Sequence, residues 1–236
     1  MITSTFYLSL SALLISLGSG IYFLAWWLQR RKKYPFLIYW AYGLGALLWF
    51  KIPNILANAG FEIVQQEFYL FFFVTLLAYF LAYFALIRGL VFFRKSPHNK
   101  RVLGFFAMWF GAAVIYFALS FFAGYELTYA PVWAGHLFFY IPVQLFLLYK
   151  LWQVVKESAE SIAISRIGAT LTAAGVLVSI TSSVFYIFIQ TGPYPQEFWY
   201  FSVISSSSIS LLQIISGLLL FFGLHAIARS YLRNIK

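Results

Sequence analysis

Residues 6–33 read FYLSLSALLISLGSGIYFLAWWLQRRKK, an uncharged apolar run closed by two arginines and two lysines. A run of this length crosses the hydrocarbon of a bilayer, which takes about 20 residues of helix. The basic cluster follows the run instead of preceding it, the reverse of a cleavable secretory signal. The leader, Met1 to Thr5, carries no positive side chain. The stretch therefore reads as a retained span with its amino terminus outside, because cationic side chains stay on the cytoplasmic face.

The remainder of the chain repeats this logic. Its 236 residues are 63% hydrophobic and 9% charged, whereas soluble domains carry about 25% charged residues. Lipid is the solvent that such a composition suits. Apolar stretches stand at about 6–28, 36–59, 67–93, 102–123, 131–153, 166–190 and 198–226. The expected fold is all-α: a single integral membrane domain over 1–236, an up-and-down bundle of seven transmembrane helices. Short connections make neighbouring helices antiparallel and packed in sequence.

Charge supplies the orientation. Arg30, Arg31, Lys32, Lys33, Arg88, Arg94, Lys95, Lys100, Arg101, Lys150, Lys156, Arg166, Arg229, Arg233 and Lys236 all fall on one side of a seven-span zigzag. Lys51 alone falls on the other, with Glu62, Glu67, Glu126 and Glu197. The positive-inside rule puts the amino terminus outside and the carboxyl terminus in the cytoplasm. The net charge of +10, which in a soluble protein would suggest nucleic acid, sits at helix ends here. Membrane lipids are the expected contact, with no nucleic-acid partner. The location expected is a prokaryotic inner membrane.

Small residues at four-residue spacing let helices approach closely in lipid. Ala12, Ser16 and Gly20 form such a seam, as do Ala107 with Gly111, and Gly175 with Ser179 and Ser183. Pro53 and Pro142 each remove a helical hydrogen bond and predict a kink in the second and fifth spans. Aromatic residues reach 22% of the chain and are expected at the interfaces and between helices.

Polar residues inside apolar runs carry the functional signal. Lys51, Asn54 and Asn58 stand at i, i+3 and i+7 and share a helix face. An ammonium at mid-bilayer costs about 2.5–3.5 kcal/mol on insertion scales, while near the interface it snorkels. His136, Tyr140 and Gln144 recur every fourth residue in the fifth span. Glu67, Thr75, Tyr79 and Tyr83 stand at multiples of four in the third, Ser179 and Ser183 are four apart in the sixth, and Ser206, Ser210, Gln213 and Gly217 line the seventh. Facing inward, these stripes make an outward-opening polar cavity. Its ligand-binding residues are expected to be Lys51, Asn54, Asn58, Glu67, Tyr79, His136, Tyr140, Gln144 and Gln213. Interhelical hydrogen bonds of about 0.6 kcal/mol each account for the same pattern without a ligand.

Several chemistries lack their residues. The chain has no aspartate and no cysteine, so staged carboxylates for proton pumping and thiolate metal ligands are missing. His98, His136 and His225 lie in different segments, which predicts no paired-histidine haem or zinc site. The serine run Ser205 to Ser208 has no flanking general base. No enzyme activity, catalytic residue, metal or cofactor is expected.

With its seven crossings, external amino terminus, short connections and aromatic interior, the layout resembles the microbial rhodopsins and the seven-helix sensory input modules of bacterial signalling proteins. That resemblance is architectural and covers the whole chain. It implies a bundle with a central pocket. Retinal does not carry over: Phe198 to Ala226 holds no lysine for a Schiff base, and the third span holds no central carboxylate. The resulting expectation is a receptor-like or sensory protein that signals through a separate membrane or cytoplasmic protein partner. The alternatives are a small-solute transporter or channel, and an accessory subunit of a membrane complex.

Overall fold

The computed structural model describes residues 4–30, 33–52, 55–56, 59, 65–92, 99–122, 135–158, 166–189 and 207–234. These residues are helical, with no strand among them. Helix α1 spans Ser4–Gln29 and α2 spans Pro35–Ala46, followed by a 3₁₀ turn at Trp49–Lys51. Helix α3 spans Gln65–Val91 and α4 spans Asn99–Phe122. A π turn at His136–Tyr140 leads into α5, Ile141–Ser158, and the chain continues with α6, Arg166–Ile189, and α7, Ser207–Asn234.

Local sequence explains the irregular points. Pro35 opens α2 after an extended Tyr34, since proline loses nothing at a first helical position and pushes its predecessor out of the helical region. Regular α2 ends at Ala46, well short of the expected residue 59, and the backbone tightens into the 3₁₀ turn. Pro53 lies just beyond. A proline at that position has no N–H to donate to the carbonyl four residues earlier. Pro142 acts similarly on the fifth span. The Ile141 N–H reaches back to the His136 carbonyl, and this one-residue widening accommodates a proline that cannot donate. The last helix runs past the expected end at 226 to Asn234 and carries Arg229 and Arg233 within its final turns. Long basic side chains tolerate that position by reaching toward water. Residues 198–206 lie outside the described segments.

Polarity is distributed as lipid requires. Phe122 is 81% exposed and Met108 71%, whereas Ser210 and Gln144 are wholly buried. Four helical stretches are long and apolar enough to cross a membrane: Phe6–Gln29, His136–Lys156, Arg166–Phe185 and Ser208–Arg233. Leu77–Val91 and Gly104–Ser120 are shorter apolar stretches among the described residues. These features fit a helical membrane protein.

Helices α1, α2, α3, α5, α6 and α7 form a closed ring, each packed on the next, with α7 against α1. Helix α4 departs from the expected order. It packs on α3 while α3 meets α5 directly, so α4 stands outside the ring. Large rings hold it away from α5: Phe106 lies 5.0 Å from Phe146, and Phe117 lies 6.2 Å from Phe139, between centroids. The expected Ala107–Gly111 seam is accordingly no seam. Ala107 is exposed and a Cβ at Gly111 would meet nothing within 4 Å.

Of the other two seams, Ala12–Ser16–Gly20 is a close contact. Gly175–Ser179–Ser183 is one only at Gly175, where a Cβ would lie 2.9 Å from the Leu220 nitrogen of α7. Ser179 and Ser183 turn toward Tyr83 and Gln144 instead. A Cβ at Gly20 would lie 2.6 Å from the Gly45 Cα, where α1 crosses α2. At Gly223 it would run into Thr172 and come within 2.8 Å of the Gly168 carbonyl oxygen, which explains the extensive α6–α7 interface. Overpacking of this kind costs about 1–3 kcal/mol. Gly223→Val should therefore lower the thermal midpoint of the detergent-solubilised protein, read by tryptophan fluorescence, while Gly111→Val should not. Equal shifts would refute the assigned α6–α7 contact.

Candidate functional site

Buried polar side chains gather in two places. The first lies between α3, α5 and α6. The Gln144 amide nitrogen donates to the Tyr79 hydroxyl at 2.9 Å and to Ser179 Oγ at 3.2 Å, with Ser183 Oγ at 3.5 Å. An amide has two hydrogens, so the two shorter contacts consume them. Ser179 Oγ also meets the Tyr83 hydroxyl at 2.5 Å, and Tyr79 donates toward Tyr83 at 3.4 Å. Tyr140 packs edge-on against Tyr79 at 5.0 Å and against His136 at 4.9 Å.

One atom in this cluster stands apart. Gln144 Oε1 is buried and has no hydrogen-bond partner among the described residues. Exchanging the amide's oxygen and nitrogen would leave two hydrogens unmatched instead, so either assignment leaves an unused polar end. A buried polar group without a partner costs about 1–3 kcal/mol. The site is thus built to take one more donor or acceptor.

The second cluster lies between α1, α7 and the turn that follows α2. Lys51 is fully buried and its Nζ donates to Ser210 Oγ at 2.9 Å. Ser9 Oγ lies 3.3 Å from the same oxygen. About two helical turns along α1 from Ser9, Ser16 donates to the carbonyls of Leu44 and Gly45. Those carbonyls sit in the last turn of α2, where the Leu44 carbonyl also accepts the Leu47 N–H at 3.4 Å in a tightened turn. Lys51 is therefore carried inward by a break that α1 stabilises.

The nine expected site residues are thereby divided. Tyr79, Tyr140 and Gln144 come together, with His136 joined through its ring. Lys51 belongs to the other cluster. Gln213 lies one turn from Ser210, half-buried, with its Oε1 lacking a partner among the described residues. Asn54 and Asn58 fall outside the described residues, and Glu67 lies in the first turn of α3 with its side chain outside them. Tyr83, Ser179, Ser183 and Ser210 also belong to the clusters, and their four-residue spacing signalled it. Ser9 carried no such signal, because a lone serine among apolar residues matches ordinary helix packing.

Among the described residues no group of three His, Cys, Asp or Glu side chains could hold a metal ion. No protein-family model matches the sequence, and neither a curated protein nor a solved structure matches it.

If the two clusters are distinct, their energetics separate. Gln144→Leu and Tyr79→Phe should couple in a double-mutant cycle by about 0.6 kcal/mol or more, as interhelical hydrogen bonds in membranes do. Lys51→Met combined with Tyr79→Phe should be additive. The reverse result, measured by unfolding in mixed micelles, would overturn the grouping.

Proposed function

We propose that the chain is a receptor-like, sensory membrane protein of seven spans, amino terminus outside and carboxyl terminus in the cytoplasm. Its polar interior takes a small or hydrophobic ligand, and its signal passes to a separate protein partner. One observation carries this reading. Lys51 sits fully inside the bundle on a serine hydrogen bond instead of snorkelling, and an ionisable side chain retained inside a membrane protein points to a functional site.

The chemistry of the two clusters suits an amphipathic ligand. Gln144 offers an unused amide end beside Tyr79, Tyr140 and His136, whose rings favour a flat apolar body. Lys51 offers an ammonium for a carbonyl or carboxylate, and the half-buried Gln213 offers an acceptor one turn from its serine. A second reading, a small-solute transporter, draws on the interrupted helices: α2 ends at Ala46 and the fifth span widens at His136–Tyr140. Interrupted helices with free backbone groups line the substrate sites of many transporters.

Solvent extraction of the purified protein followed by mass spectrometry should recover a stoichiometric small molecule. Lys51→Met and Gln144→Leu should each reduce its retention about tenfold, the worth of one charge-assisted or buried hydrogen bond. If the variants retain it as wild type does, the receptor site is wrong. Solute flux in proteoliposomes would instead establish the transporter.

Orientation has its own test, made clean by the absence of cysteine. Glu62→Cys and Glu126→Cys should react with a membrane-impermeant maleimide on intact cells, and Lys95→Cys should not. Labelling at position 95 from outside would reverse every depth in this proposal.

A further inference from the structure

Away from both polar clusters, a cavity of about 510 Å³ opens between the C-terminal turns of α1 and α7. Arg30 contributes from the end of α1, and Arg229 and Arg233 from α7. All three are exposed, and none has an ion-pair partner among the described residues. Among the described residues no acidic side chain lines the cavity.

Two features set this groove apart from an ordinary basic helix end. Arg229 and Arg233 are four residues apart on one helix, a like-charge spacing that destabilises the free helix. Arg30 adds a third charge from the opposite wall. The C-terminal dipoles of α1 and α7 supply about half a negative charge each, so about two positive charges remain uncompensated. The walls between those charges are rigid and aromatic. The Tyr22 hydroxyl lies 3.1 Å from His225 Nδ1, and the His225 ring packs 5.3 Å from Trp26.

Next to the cavity along α7 lies exposed apolar surface. Leu218, Phe222, His225 and Arg229 recur at the spacing of one helix face, and Leu218 and Phe222 are exposed. Opposite them, a Cβ at Gly18 would meet nothing within 4 Å. A cationic cup beside exposed apolar side chains on the same helix face matches an amphiphile with an anionic head. We propose that this groove binds a phosphate ester, held by Arg30, Arg229 and Arg233 against the Trp26–His225 wall. Guanidinium forks match phosphate oxygens in geometry and remain charged at any physiological pH. An anionic phospholipid headgroup and a soluble phosphate ester share this chemistry.

The purified full-length protein in neutral detergent would be titrated with phosphatidylglycerol, phosphatidylcholine and glycerol 3-phosphate, with bound species counted by native mass spectrometry. Phosphatidylglycerol should bind more tightly than phosphatidylcholine. The pair Arg229→Gln and Arg233→Gln should weaken it about thirtyfold, from the worth of two arginines near an anionic headgroup. A charge-matched control, Lys156→Gln with Arg166→Gln, should leave it within about twofold. Arg30→Gln, on the other helix, keeps the test decisive if the double variant does not fold. Displacement of the lipid by glycerol 3-phosphate would identify a soluble ester as a competent ligand, and its failure would identify the lipid as the source. Equal binding of the two lipids, or equal losses in the groove variants and the control, would overturn the proposal.

Discussion

Inside hydrocarbon, a backbone carbonyl released from a helix has no water to turn to. Wherever this chain interrupts a helix, another part of the molecule must supply the missing donor. The end of α2 is the clearest instance. Regular structure stops at Ala46, and Ser16 of the neighbouring helix donates to Leu44 and Gly45. That exchange requires α1 and α2 to lie nearly in contact, which Gly20 and Gly45 permit. The small residues and the helix break are therefore one device. The Ser16 hydroxyl adds to the Leu47 N–H at the Leu44 carbonyl, and it reaches there because glycines bring the two backbones together.

The position of Lys51 follows from the same device. A lysine on a continuous α2 would point wherever the helical period sent it. On the 3₁₀ turn after the break, it reaches Ser210 of α7 and the neighbourhood of Ser9. Across the ring, the π turn before α5 places Tyr140 beside Tyr79 and His136 against Tyr140, with Gln144 one turn below. Both polar clusters thus stand next to a proline-associated irregularity. Backbone irregularity at membrane depth persists only where protein or polar groups surround it. The residues that satisfy the backbone and those that offer free polar atoms are neighbours, which makes these two places the centre of the proposed function.

The helix contacts divide into two physical kinds. Where α1 meets α2 and α6 meets α7, glycine brings backbones together, and the carbonyls and hydroxyls of one helix touch the other. Where α4 meets α5, phenylalanine rings intervene and the backbones stay apart. Contacts of the first kind are intolerant of added volume, since a backbone cannot move aside for a new side chain. Contacts of the second kind repack more readily. Aromatic rings also fill the ring of helices itself, as Phe23 does against Trp40 and Phe36 against Tyr231.

Much was legible in the residues alone. Composition dictated helices in lipid, because so few charged groups cannot clothe a soluble domain. The four-residue recurrence of Tyr79 with Tyr83, of Ser179 with Ser183, and of Tyr140 with Gln144 marked which side chains share a face, since helical geometry is local. The direction in which each face turns was not legible, because it depends on how neighbouring helices rotate against one another. Only the tertiary structure separated Lys51 from Gln144, moved α4 outside the ring and enlisted Ser9. It alone showed Arg30 facing Arg229 and Arg233 across a cavity, for charges two hundred residues apart in the chain meet only when α1 and α7 close the ring. Periodicity is written along one helix; a site is written between several.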